Sequence, residues 1–266
     1  MISIVFSVAL FASISDAKWI ASSEAIERSR YAFVIGNKPP FEKQYPRSLF
    51  EKRLHDEKER EAVLWRVYQI RITASDMEEE FSRIEKSTQA PDQWEAMKAA
   101  VHDDRHIIEE VICRPLLVDR ALHAKFAFDQ KIHARAHEQA REARAAWLAG
   151  REPAGAAAVT INRSGSSAES TADMLSRARQ QSQSADPMNG RDTSAPVPIE
   201  AEAVAALEKQ IHKPGDVSHI LEYPDRFEVY RLIEATPEIW RADVVQFPKE
   251  AFDSWYERVR LAPHPK

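Results

Sequence analysis

Residues 151–198 constrain this chain more than any other stretch. Their only large apolar side chains are Val159, Ile161, Met174, Leu175, Met188 and Val197, set among Ser, Ala, Gly, Pro and Asn. So little apolar surface cannot offset the conformational entropy of ordering a segment of this length. The stretch reads as a disordered linker. The rest of the chain is therefore expected to fold as two parts, a helical domain over 18–150 and a smaller module over 199–266.

Both flanking parts have the composition of packed structure. Apolar residues make up 44% of the chain and charged residues 30%. Six glycines in 266 residues, against roughly 7% in an average protein, disfavour a turn-rich β fold. The formal net charge of −5 provides no basic field for nucleic acid, and nucleic acid is not expected as a partner.

The amino terminus is the most apolar run. Residues 2–14 read ISIVFSVALFASI without a charge and break at Ser15-Asp16-Ala17-Lys18. An apolar stretch of this length followed by small residues reads as a secretory signal peptide over 1–17. It is short for a bilayer span, so no stable span is expected after cleavage. The protein is expected to be periplasmic or otherwise exported.

From Ser48 the spacing turns helical. Leu49, Phe50, Leu54, Val63, Leu64, Val67 and Tyr68 recur at three and four, and the charged run HDEKEREA between them suits a solvated face. Ser75 with Glu78 three residues later reads as a capping box. Pro91-Asp92 opens a helix carrying Trp94 and Met97. Another covers about 103–113, and Pro115 either kinks it or starts the next. Residues 129–149 are rich in strong helix formers and stop at Gly150. Residues 31–35 are expected as a short strand or an extended arm. In the carboxy-terminal part, 199–211 reads as a helix and Lys213-Pro214-Gly215-Asp216 as a turn. Residues 217–221 and 226–234 read as two strands. The second is apolar on both faces, as a central strand is. A last helix is expected over 248–260.

The order of these pieces resembles the SurA and parvulin type of periplasmic foldase. The likeness rests on three stretches. One is IRITASDMEEEFSRI (70–84), a second runs from Cys113 to His137, and the third is AVAALEKQIHKPGDVSHILEYPDRFEVYRLIEAT (203–236). The resemblance implies a mainly α fold with a small α+β carboxy-terminal part, a SurA-like helical chaperone domain followed by a partial parvulin-like module. It implies a chaperone whose partners are unfolded or extended polypeptide clients of the envelope. The family's activity is peptidyl-prolyl cis-trans isomerisation. An active module opens with a His-Ile-Leu-Val strand, which no stretch ahead of the linker supplies clearly. The family's Gly-Asp-Leu-Gly section would fall near 165–198, inside the linker. Its last strand begins Gly-Tyr-His, whereas this chain has Arg226-Phe227-Glu228, with glutamate at the histidine position. The isomerase activity is therefore expected to be lost or nearly so, and no catalytic residue is assigned. Leu221, Phe227 and Tyr230 are the expected peptide-binding residues, with backbone hydrogen bonds along a sheet edge in 217–234.

Other chemistry finds little footing. Cys113 is the only cysteine, and apolar neighbours mark it as a small buried hydrophobe. His102 with His106, and His133 with His137, are spaced for a helical metal site. However, His-Asp-Asp-Arg-His lacks the glutamate a zinc hydrolase needs, and arginines flank both pairs. No metal and no cofactor is implied. Two alternatives stay open: an active isomerase, and a non-catalytic envelope assembly protein with one fixed partner.

Overall fold

The computed structural model describes residues 14–162, 201–237 and 239–262. The chain is mainly helical with a small four-stranded antiparallel sheet. It divides into two compact units. One holds the chain up to Phe126 and returns at Phe252, and the other is Ala127–Ala251. Residues 1–13 of the expected signal peptide and 163–198 of the expected linker lie outside the described residues.

In the first unit, α1 (Asp16–Ala32) starts where Ser15 accepts a hydrogen bond from the Lys18 amide. The sequence hides this helix, because its buried positions include Ser22 and Ser23 beside Trp19, Ile20 and Ile26. The suggested strand at 31–35 is instead the end of α1 followed by an exposed arm. After the short α2 (Phe41–Gln44), α3 (Arg47–Tyr68) follows Pro46, whose fixed φ suits a helix entry. Trp19, Ile20, Tyr31, Phe41, Phe50 and Leu54 close one core of this unit.

The capping box of α4 (Ala74–Ser87) falls two residues earlier than its pattern suggests. Thr73, not Ser75, accepts from the Asp76 amide, and the Asp76 carboxylate accepts from the Thr73 amide. Next come α5 (Pro91–Ala99), α6 (Arg105–Ile108), a π-helical turn (Glu109–Cys113) and α7 (Arg114–Ala127). The π turn ends two residues before Pro115, which has no amide to donate, so the helix passes the proline by a local change of pitch. Met77, Phe81, Trp94, Val101, Ile107, Ile108 and Cys113 join Ile26 in a second core.

The second unit begins with α8 (Ala134–Leu148), five residues after its expected start. Asp129 accepts from the Lys131 and Ile132 amides and holds the preceding turn. Gly150, at φ +71°, ends it. Then come β1 (Ala157–Asn162), α9 (Ala201–Glu208), β2 (Leu221–Glu222), β3 (Arg226–Ala235) and β4 (Ile239–Pro248), in sheet order β1-β4-β3-β2. Two of these strands were not expected. β1 lies inside the stretch assigned to the linker, and β4 comes directly after β3 and pairs with it antiparallel. The strand expected over 217–221 shortens to Leu221–Glu222 plus a single bridge from Val217 to Arg231.

The two faces of β3 pack on different partners. Tyr230 and Leu232 join Trp240, Ala242, Val244 and Ile161 under Val204, Leu207 and Ile211 on the α9 side. Phe227 and Val229 join Val245 against Ala136, Ala140, Ala143 and Trp147 of α8.

Two helices also fall in a different unit from the part drawn for them on the sequence. Helix α8 belongs to the sheet unit, because its alanine face lies on β3 and β4. The last helix, α10 (Phe252–Arg260), belongs to the helical unit. There Trp255 lies 5.0 Å from Phe126, and Phe252 stacks on His123 at 3.7 Å.

Candidate functional site

Helices α1, α3 and α7 of the helical unit surround a cleft of about 240 Å³. Its apolar lining is Ile14, Trp19, Leu54, Pro115 and Val118. Leu54, Glu57, Lys58 and Glu61 fall at helical spacings of three and four, so α3 presents them on one face. Trp19 is fixed by its indole N–H, which donates to the Glu110 carbonyl at 3.3 Å.

Four carboxylates and two cations line the cleft, and most of them are spent on one another. Lys58 binds Asp16 at 2.6 Å. Arg114 grips both oxygens of the buried Glu110 at 2.8 and 2.9 Å and reaches Glu61 at 2.9 Å. Glu57 differs from these. Its Oε2 is buried and has no hydrogen-bond partner among the described residues. Burial holds the Glu57 carboxyl above the ordinary carboxylate range, against the pull of Arg60, and Asp119 and Asp56 add to the rise. The sequence reading placed Glu57 and Glu61 on a solvated face. What it lacked was α1, which covers that side of α3.

The three residues expected to bind peptide do not form a surface. Phe227 and Tyr230 are each 2% exposed and point to opposite faces of β3, since strand side chains alternate. Leu221, in an edge strand, is half-buried against the cluster that contains Tyr230. Phe227 packs on the α8 side, with the Lys249 ammonium 4.5 Å from its ring centre. Phe227 and Tyr230 are core, and Leu221 is only partly covered. β3 is internal to the sheet, so within 217–234 only the short β2 is an edge.

At the position where the resemblance calls for histidine, Glu228 is 2% exposed. Its Oε1 accepts from Arg226 and Gln246, each at 2.6 Å, and its Oε2 accepts from the Tyr230 hydroxyl at 2.7 Å. Burial pushes the Tyr230 phenol up, and the adjacent Glu228 charge adds to the rise. Ser218 Oγ accepts from the Tyr230 amide at 2.9 Å. These polar groups are turned inward and matched to one another.

Neither histidine pair lies wholly within one helix. His102 lies beyond α5 at φ +59°, so it does not share a helix with His106. His133 precedes α8 and is buried, while His137 lies against Phe227. No group of three or more His, Cys, Asp or Glu side chains among the described residues is placed to hold a metal. Cys113 is fully buried, and burial pushes its thiol up to about 12. No helix among the described residues is long and apolar enough to cross a membrane. No protein-family model, curated protein or solved structure matches the chain.

Proposed function

We propose that this chain is an exported, chaperone-like protein of the SurA and parvulin type. It holds extended segments of other polypeptides on its helical unit and has lost isomerase chemistry. The observation that carries the reading is the cleft between α1, α3 and α7, with an apolar floor and a charged rim. An apolar depression bounded by charge is the surface form a polypeptide-binding protein needs. Its volume of about 240 Å³ falls below the roughly 300–1,000 Å³ of small-molecule sites. That size suits one or two side chains of a longer chain.

The loss of isomerase chemistry is supported by Glu228. Peptide-bond rotation faces a barrier of about 18–20 kcal/mol in the general case. A group that assists it must reach the substrate. Glu228 and Tyr230 are both buried, and each has the other as a partner. A strand does precede α9, namely β1, but it reads Ala-Ala-Val-Thr-Ile-Asn and carries no histidine. β4 follows the strand that the resemblance makes the last one.

The test is suppression of aggregation for several unrelated unfolded proteins, run beside a protease-coupled prolyl peptide assay. The reading expects suppression across clients and no turnover. Clear turnover would restore the isomerase, and indifference to every client would remove the chaperone. Export is tested by recovery of the protein from the cell envelope; sequencing its amino terminus shows whether Ile14 and Asp16, which line the cleft, are retained, and a chain that begins at Lys18 would lack them.

A further inference from the structure

We infer that the loop 33–38 docks on a membrane. Its apolar tip enters the surface layer of an anionic phospholipid bilayer, and the lysine at its base meets the lipid phosphates. The inference uses neither the cleft nor the chaperone reading, and every residue it rests on lies beyond the expected signal peptide.

Three consecutive apolar residues stand in solvent at this loop. Phe33, Val34 and Ile35 are 41%, 48% and 96% exposed. Gly36 follows at φ +97°, where an added side chain would meet nothing within 4 Å. Folding ordinarily hides such a run against a core, but this one is held outward. Tyr31 is buried, with the rings of Phe41 and Tyr45 each 5.6 Å away, and it ties both ends of the loop. Its carbonyl accepts from the Val34 amide at 3.2 Å and from the Lys38 ammonium at 2.6 Å. Its hydroxyl donates to the Pro39 carbonyl at 2.5 Å. A loop fixed in this way has little freedom to fold back, and little to lose on insertion.

Charge selects the partner. Residues 28–47 hold Arg28, Arg30, Lys38, Lys43 and Arg47 against Glu42 alone, in a chain of net charge −5. Arg28 pairs with Glu24 and Glu42, Arg30 with Glu27, and Arg47 with Glu51. Lys38 and Lys43 have no carboxylate partner among the described residues. Lys38 lies at the base of the tip, because its ammonium also reaches the Ala32 carbonyl at 3.3 Å. An apolar tip over an unpaired cation matches the layering of an anionic membrane, hydrocarbon within and phosphate without. A stable protein interface takes about 800 Å² from each partner, more than three side chains on a narrow loop supply. A bilayer receives a protruding apolar tip without a preformed pocket.

The test places an environment-sensitive dye on Ile35→Cys in the full chain. Cys113 is fully buried, so the dye goes to the loop. With vesicles of equal parts phosphatidylcholine and phosphatidylglycerol, the emission is expected to shift to the blue. Vesicles of phosphatidylcholine alone should need about fivefold more lipid for the same shift, the worth of one lysine near an anionic surface. In the labelled chain, Val34→Asp should need about tenfold more lipid, with an unchanged thermal melt because Val34 is exposed. A dye that stays in water on every vesicle overturns the inference, even if the chain sediments with them, since binding would then run through another part such as residues 2–14. Equal shifts on neutral and anionic vesicles, or no effect of Val34→Asp, also overturn it. A blue shift with unfolded client proteins but not with vesicles would make the loop a polypeptide contact and refute the membrane assignment.

Discussion

Glu80 shows how much of this protein's electrostatics is internal. It is 3% exposed, and its carboxylate takes paired bonds from Arg83 at 2.6 and 2.8 Å and from Arg120 at 3.0 and 3.1 Å. The Arg83 hydrogen bonds, joined by Arg120, hold the carboxyl at about 2, below its ordinary 4.5. A depressed carboxyl pKa stabilises the fold above the unfolded value, and the contribution drains away as pH falls from 4.5 towards 2. Glu80→Gln should therefore cost about 2 kcal/mol at pH 7, allowing for the half-exposed arginines. In urea denaturation the gap between the two proteins should narrow steadily in acid. Glu57 has the opposite sign. Its raised pKa means that the folded state holds its proton more tightly, so stability is lost as pH rises above 4.5. Glu57→Gln is expected to stabilise the protein at pH 7 and to make no difference well below 4.5. A variant less stable than the natural chain at pH 7 would mean that Glu57 has a partner.

Among the elements, α8 and the end of β4 set the packing of the sheet unit. Helix α8 approaches β3 and β4 through Ala136, Ala140 and Ala143, and Ala140 is fully buried. Small residues let helix and sheet come close, so a larger side chain has nowhere to go. Ala140→Leu should cost about 1–3 kcal/mol by overpacking, although leucine is nearly as good a helix former. Its effect should appear as a lowered melting temperature with helix content retained. Lys249, just beyond β4, has a fully buried side chain. It donates to the Ala127 carbonyl at 2.6 Å and pairs with Glu222 of β2 at 2.8 Å. Phe227 and Phe128 bracket the ammonium at 4.5 and 5.1 Å. Lys249→Met keeps the stem but leaves a carbonyl and a carboxylate unmatched. It should destabilise the unit by about 3 kcal/mol, measured by denaturant midpoint at constant slope.

For the whole molecule, the helical unit is discontinuous in sequence. Helix α10 leaves the strands behind it and packs Trp255 among Phe126, Phe252 and Tyr68. Arg260 reaches Glu59 of α3, and Arg66 donates to the Val259 carbonyl at 2.6 Å. Trp255→Ala should remove about 3–5 kcal/mol by cavity formation. That loss belongs to the helical unit, so hydrogen exchange should rise around Phe126 and Tyr68 rather than in β3 and β4. A uniform rise across both units would show that the two unfold as one.

What the sequence determined by itself is what local periodicity and turn chemistry encode. The stripe of α3, the proline start of α5, the stop at Gly150 and the two-faced apolar pattern of β3 were all legible, because each is set within a few residues. β1 and α1 were not. Ala-Ala-Val-Thr-Ile-Asn is a weak strand on its own terms and becomes one only because β4 lends it a hydrogen-bonding edge. Helix α1 buries serines along with its apolar residues, so its inward face carries no clean hydrophobic stripe. The chain's division was decided the same way. A run of alanines says helix, but only a sheet of matching shape says where that helix goes. The fate of charge was also a tertiary matter. Glu57 and Glu59 sit in one charged run. Glu59 is answered by Arg260 from the far end of the chain, and Glu57 is half-buried with one oxygen sealed and without a hydrogen-bond partner among the described residues, because α1 covers that side of α3. Desolvation depends on what covers a group, and no local sequence pattern records that.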